Sequence, residues 1–397
     1  MKKFSISGTG CALVDYLYTP VSFADATFIQ YLSQDAGDGG LSPGKLVFRE
    51  EFEKFSGEDY LTVRDRITKH HPPVTLNIGG PSIVSLIHAA QMLHDLPAEI
   101  RFYGAKGADD GASFIENKLL HTPLRTAKYK VSERNTPFTD VLSDPGYDNG
   151  NGERIFINNI GAAWDLLPDD LDDAFFESDI VAFGGTALTP RIHQSLRLLL
   201  QKAKERGAIT VVNTVYDFLN EKANPSKPWP IGDSADTYRY IDLLIADMEE
   251  ALRLSGQTTI DDAMSFFKSA GVGAFIVTHG ANPVHFFSQG ELFGKVENSS
   301  LLISEKIKTE LAANTEKTGD TTGCGDNFAG GVISSIARQK INHPENPATM
   351  TKAVALGIVS GGYACFYNGG TFYETHPGQK SELVDAYFQE YLVKQIP

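Results

Sequence analysis

An α/β fold built on a parallel sheet is predicted by two features of this chain. Short apolar runs of strand length recur through most of it, and longer stretches of helical periodicity separate them. The runs Phe4–Gly8, Ile100–Gly104, Ile180–Phe183, Ile209–Asn213, Leu243–Ala246 and Phe275–Thr278 each read as a buried strand. Between them, Ser82–Leu93, Pro190–Arg206 and Thr258–Ser269 carry helical spacing. In Pro190–Arg206, Ile192, Leu196, Leu199 and Leu200 form one stripe, with Arg191, Arg197, Lys202 and Lys204 largely off it. Such alternation implies a parallel sheet covered by helices on both faces.

Two stretches break the pattern. Pro20–Pro73 contains the turn-rich Ala36-Gly37-Asp38-Gly39-Gly40 and many charges, with no parallel-strand signal. Thr126–Ile160 reads as extended runs, Phe138–Ser143 and Arg154–Asn158, around the loop Asp144–Gly152. Strands joined by Gly, Asn and Asp turns predict a small antiparallel sheet set apart from the main one. The expected organisation is one α/β domain over residues 1–397 carrying a β-rich appendage.

Charge and cysteine content narrow the function. Lys and Arg total 35 against 50 Asp and Glu, a formal net charge of −15, which argues against nucleic acid and anionic membranes as partners. The three cysteines, Cys11, Cys324 and Cys365, show no zinc-type spacing and fit a reducing compartment. Phe4–Gly10 is too short and glycine-broken for an export segment, and no run approaches the roughly 18 apolar residues of a membrane span. A soluble cytoplasmic protein is expected. His70-His71 has no third ligand spaced nearby and is followed by Pro72-Pro73, so it is not read as a metal site.

The chemistry is carried by Asp320-Thr321-Thr322-Gly323-Cys324-Gly325-Asp326-Asn327-Phe328-Ala329-Gly330-Gly331, followed by the helical Val332–Ala337. Gly323 and Gly325 allow a tight turn that brings bare backbone N–H groups close to a ligand. Those groups meet a helix N-terminus, where unsatisfied donors and the dipole favour an anion. Asp326 beside that anion hole suits a general base that takes a proton from an alcohol while phosphate sits on the amides. Alone, an Asp at a helix start is most often a cap; the complete run is what points to chemistry.

These twelve residues closely resemble the C-terminal signature of the ribokinase, or PfkB-type, sugar kinases. Other segments resemble that family in the same order along the chain. Gly8–Asp15 is similar to its first strand and substrate-binding Asp, and Gly79-Gly80-Pro81-Ser82 to its Gly-Gly motif at the sugar. Gly104–Gly111 resembles its Gly-rich segment, Asp247-Met248-Glu249-Glu250-Ala251 its Asn-x-x-Glu motif, and Val277-Thr278-His279-Gly280 the strand end beside the nucleotide. The spacing from Asp15 to Gly79 looks most like the adenosine-kinase-like branch.

The resemblance implies a ribokinase-like three-layer α/β/α sandwich with a mainly parallel sheet and a small β-rich lid from residues of about 12–49 and 126–160. It implies an ATP-dependent kinase acting on a hydroxymethyl group of a sugar or nucleoside. Asp326 would be the base and Gly323, Cys324 and Gly325 the anion hole. Asp15, Gly79 and Gly80 would bind the acceptor. Asp247, Glu250, Thr278, Gly280 and Gly357 would serve the nucleotide, with Glu250 holding Mg²⁺ through water and Asp320 an activating monovalent cation such as K⁺. Pairing through the lid would give a homodimer. This chain departs from the family at Val84 (an Asn in relatives), Asp247 (Asn), Cys324 (Ala), Gly357 (often Asn) and Asn213–Asp217, which lacks an Arg. Val84, Asp247 and Gly357 motivate the alternative of a weak or inactive sugar or nucleoside sensor on the same fold. The missing Arg and the net charge predict a neutral acceptor rather than a sugar phosphate.

Overall fold

Fourteen strands are described in the computed structural model, which covers residues 3–35, 37–150, 152–313 and 321–395. In chain order they are β1 (Phe4–Gly10), β2 (Leu13–Tyr18), β3 (Leu46–Phe48), β4 (Thr75–Gly79), β5 (Ala98–Lys106), β6 (Arg125–Val131) and β7 (Phe138–Asp144). Then follow β8 (Glu153–Asn159), β9 (Ile180–Gly184), β10 (Ile209–Asn213), β11 (Leu243–Asp247), β12 (Ala274–Thr278), β13 (Val284–Ser288) and β14 (Val296–Leu301). Five helices position the site: α1 (Pro81–Met92), α2 (Met248–Ser255), α3 (Cys324–Asn342), α4 (Met350–Ala364) and α5 (Gln379–Gln395).

The larger sheet has nine strands in the order β14-β13-β12-β11-β10-β9-β1-β5-β6. Strands β12 to β6 of that order run parallel, and β13 and β14 add an antiparallel edge. Successive side chains point to opposite faces, and here both faces are apolar. Ile180, Ala182, Leu243, Ile245 and Ile276 enter the core beneath α1, α3 and α4, whereas Val181, Phe183, Leu244, Ala246 and Phe275 enter the core on the other side. A strand buried on both sides reads as an unbroken apolar run, which is why these strands appear where the sequence predicts them. The architecture is the parallel α/β sheet covered on both faces that the alternation predicts.

A separate five-stranded sheet has the order β3-β8-β7-β2-β4. It is mixed, not purely antiparallel: β2 runs parallel to β7 and β3 to β8, while β2–β4 and β7–β8 are antiparallel. Its composition shifts both expected boundaries. Within 126–160, Arg125–Val131 pairs in parallel with β5 and belongs to the larger sheet. Beyond residue 49, the small sheet continues to β4, reached through helices Arg49–Ser56 and Tyr60–Ile67, whose Phe52, Tyr60 and Val63 are buried against it. Ser195 interrupts the expected helix Pro190–Arg206: its N–H closes a tighter turn on Ile192 O at 3.1 Å, and the helix restarts at Leu196. No helix among the described residues is long and apolar enough to cross a membrane.

Candidate active site

The site begins where α3 starts. Gly323 caps the helix with φ of +75°, and a Cβ there would lie 2.4 Å from Gly370 Cα, so both conformation and space require glycine. The first ladder bond is Asn327 N–H to Gly323 O at 2.9 Å. Cys324 N–H bends back to Thr321 O at 3.3 Å, which leaves the Gly325 and Asp326 amides as the donors a helix start cannot satisfy internally. Gly323 has no side chain with which to cap them. Asp326 is partly exposed in this first turn, and desolvation pushes its carboxyl up to about 7.

Asn327 locks the turn from beneath. Its Nδ2 donates to Gly323 O and to Gly370 O, both at 2.8 Å. Its Oδ1 accepts from Tyr367 OH at 3.0 Å and from Lys380 Nζ at 3.4 Å. Lys380, on α5, is wholly buried; its ammonium also donates to Tyr367 OH at 2.6 Å. The rings of Tyr367, Phe372 and Tyr363 surround it at 4.4, 4.9 and 5.5 Å. Burial holds its pKa well below the ordinary lysine range. Neither Asn327 nor Lys380 was anticipated from sequence.

Across the parallel sheet, β11 delivers the acidic residues. Asp247 caps α2 by accepting from Glu250 N at 2.8 Å, and Glu250 Oε2 returns a bond from Asp247 N at 3.1 Å and accepts from Thr214 Oγ1 at 2.5 Å. Glu250 is buried; burial first, then the Asp247 charge and more weakly that of Asp326, push its carboxyl up to about 8. Carboxylates that repel one another in this way are relieved by a dication. Among the described residues no three ligating side chains cluster; Asp247 and Glu250 are the acidic pair that would suit a hydrated Mg²⁺. Thr278, at the end of β12, sits in register beside Asp247, and Gly280 is exposed with φ of +52°.

Gly357 does not join this group. It is buried where α3 and α4 cross, and a Cβ would lie 2.8 Å from Val332 Cγ2 and 3.0 Å from Phe328 Cε2. Helix packing at this crossing accounts for a glycine here. Asp320 lies outside the described residues. His70 and His71 are exposed.

The residues expected to bind the acceptor are carried by the small sheet and the turn after it. Asp15 pairs with Asn77 across β2 and β4, and its carboxylate lies directly over Gly79. Gly80 follows with φ of +109°, its α-carbon against Cys11 O. Asn77 Nδ2 donates to Asn368 O at 2.9 Å, Tyr373 OH donates to Asn77 Oδ1 at 2.9 Å, and Thr371 Oγ1 donates to Ile78 O at 3.2 Å. The segment 368–373 thus ties the strand that carries Gly79 to Gly370, and Gly370 lies against Gly323. Val84 closes the same contact: a Cβ on Gly370 would meet Val84 Cγ2 at 3.1 Å. The structure therefore links Asp15, Gly79 and Gly80 to the Gly323–Asp326 turn through a connection that sequence reasoning missed. The only local signal was the pair Gly369-Gly370 just after a helix.

Asp217 and Lys128 also find structural partners. Asp217 caps its own helix by accepting from Asn220 N at 3.0 Å. Lys128 is on β6 of the larger sheet and pairs with Asp172 at 3.1 Å.

Residues 59–375 match the family described as pfkB family carbohydrate kinase. Over 294 residues the chain is 24% identical to a ribokinase from Staphylococcus aureus (strain COL), covering 70% of this chain and 81% of that protein. Its fold is similar to that of an adenosine kinase from Schistosoma mansoni in complex with 2-fluoroadenosine, with a TM-score of 0.67, 18% identity, and coverage of 93% of this chain and 97% of that one. It is also similar to a probable sugar kinase protein from Rhizobium etli CFN 42, with a TM-score of 0.69, 16% identity, and coverage of 97% and 99%. The matched residues include Gly79, Gly80, Glu250 and the Gly323–Asp326 turn and span most of the sequence: the chain belongs to the pfkB family of carbohydrate kinases.

Proposed function

We propose that this chain transfers the γ-phosphoryl group of ATP to a hydroxymethyl group of a neutral sugar or nucleoside. The observation that carries the reading is the position of Asp326 in the first turn of α3, beside the Gly325 and Asp326 amides of the helix start and connected through Gly370 to the Asp15–Gly79 end. Asp326 takes the proton from the acceptor hydroxyl; a carboxyl raised to about 7 is well matched to that task near neutral pH. The amides at the helix start stabilise charge on the transferred group. Glu250, with Asp247, would hold hydrated Mg²⁺, which supplies positive charge against the phosphates.

Asp15 orients the acceptor, since a carboxylate accepts two hydroxyl bonds at once. The small sheet that carries Asp15 and Gly79 acts as the lid that excludes water, a competing acceptor. Two departures that motivated a non-catalytic sensor, Val84 and Gly357, have packing roles, so they do not favour it. An ADP-release assay over sugars, nucleosides and sugar monophosphates, with and without K⁺, tests the reading. The ribokinase and adenosine kinase likenesses place ribose and adenosine in that panel. Turnover on a neutral acceptor that disappears in Asp326→Asn is expected; absence of turnover on every acceptor would overturn it.

A further inference from the structure

Cys324 is the first residue of α3, and Cys365 is the residue that caps the C-terminus of α4. Both are thiols and both are partly exposed. Their sulfurs lie 3.3 Å apart, whereas a disulfide holds them at about 2.05 Å. The backbones also meet here: a Cβ on Gly361 of α4 would lie 2.9 Å from Cys324 O. Cys11, the third cysteine, is buried under the small sheet, and burial pushes its thiol up to about 12.

We infer that Cys324 and Cys365 form a redox-active pair, and that a peroxide converts it to a disulfide that switches the catalytic turn off. The helix ends set the order of attack. Cys324 sits at the positive end of α3, which favours its thiolate. Cys365 sits at the negative end of α4 and is the resolving thiol.

In the first step the Cys324 thiolate sulfur attacks one peroxide oxygen. An S–O bond forms, the O–O bond breaks, and hydroxide leaves as water after taking the thiol's proton. In the second, Cys365 sulfur attacks Cys324 sulfur, the S–S bond forms, the S–O bond breaks, and a second water leaves with the Cys365 proton. Two thiols give up two electrons and the peroxide accepts them. Closing the 3.3 Å gap brings the two sulfurs together by about 1.3 Å and pulls on the first turn of α3 that carries one of them. Cys324 precedes Gly325 and Asp326 directly, so the amides and the base move with it. A misplacement of about 1 Å at a reacting group costs on the order of 10²-fold in rate. This loss of turnover rests on the proposed kinase reading; the disulfide itself does not.

The test treats the full chain with hydrogen peroxide, alkylates the remaining thiols, and maps peptides without reductant by mass spectrometry. The expected result is a Cys324 peptide joined to the Cys365 peptide, with Cys11 alkylated. Turnover should fall about 10²-fold and return with dithiothreitol. Cys365→Ser is expected to keep basal turnover and, under peroxide, to collect a dimedone adduct at Cys324. Both thiols remaining alkylatable after peroxide, or a cross-link through Cys11, would overturn the pair. A dimedone adduct at Cys365 in Cys324→Ser, with none at Cys324 in Cys365→Ser, would overturn the order of attack. Full turnover in the cross-linked protein would overturn the switch. If no acceptor is ever turned over, the peptide map still decides whether the pair exists.

Discussion

The carboxylate of Asp15 rests on the α-carbon of Gly79: a Cβ added there would fall 2.2 Å from Asp15 Oδ2 and 2.8 Å from its Cγ. Gly79 does not have the positive φ of its neighbour Gly80. Alanine at 79 therefore strains no backbone; its Cβ presses on Asp15 and also on Leu13 Cδ1 at 2.7 Å, so Asp15→Ala is the companion that isolates the carboxylate.

Gly79→Ala is expected to push the Asp15 carboxylate off its seat and raise the acceptor KM. A hydrogen bond to a charged group contributes about 1.5–3 kcal/mol, so the increase should be roughly 10–100-fold. The KM for ATP should stay as it is, and Asp15→Ala should give the same split. Steady-state kinetics with each substrate varied in turn decide this, and an equal loss for both would count against the assignment.

Asp326→Asn keeps the shape of the side chain and removes its proton affinity. Turnover should drop by about 10²–10⁴-fold, with nucleotide binding by calorimetry nearly unchanged. In the parent protein kcat/KM should climb with pH through about 7, as the carboxyl loses its proton.

The same residue couples pH to stability. Its folded carboxyl is raised to about 7 from an ordinary value of 3.8. The folded state therefore holds a proton that the unfolded chain gives up earlier, and stability falls as pH rises across that window. Below it the two states are protonated alike. Asp326→Asn should thus raise the unfolding temperature at pH 8 and leave it unchanged near pH 3.5, as scanning calorimetry at the two values will show.

Lys380→Met fills the aromatic cage without a charge. Replacing a buried ionic group by an apolar one of similar volume is often neutral or stabilising. The unfolding temperature is expected to hold or rise, while kcat falls about tenfold because Asn327 loses one of the two donors to its Oδ1. A fall in stability with unchanged kcat would show that Lys380 serves the fold and not the turn.

A neutral acceptor is expected to be preferred over its monophosphate by at least about 10² in kcat/KM. Binding a dianion takes roughly two charge-assisted contacts of about 1.5–3 kcal/mol each. Asp217 is engaged as a helix cap, and Lys128 is held by Asp172 on the larger sheet. Turnover on matched pairs of acceptors measures the ratio.

What could be read from sequence follows from how locally each feature is encoded. Strands such as Ile180–Gly184 declare themselves because neighbours facing opposite layers are both apolar. The Gly323–Asp326 turn is equally local: glycine, carboxylate and helix start lie within four residues. The small sheet was only half legible. Its strand Leu46–Phe48 has three residues, too few for any periodicity, and Arg125–Val131 carries nothing that tells which sheet it will join. Asn327 and Lys380 were invisible for another reason. A polar residue 53 positions from its partner looks solvated until the fold buries both.

Protein synthesis proceeds from the N-terminus, and domains acquire structure in that direction. Asp15 and Gly79 are made early, Asp326 late, and Lys380 later still. A nascent chain can therefore lay down most of its larger sheet, with Asp15 and Gly79, while the Gly323–Asp326 turn still lacks its brace. Until the segment carrying Lys380 emerges from the ribosome, Asn327 has no ammonium above it to fix its amide against Gly323 and Gly370. The order of synthesis thus places the brace of the Gly323–Asp326 turn after the turn itself, and the turn is held in its final form only once both have been made.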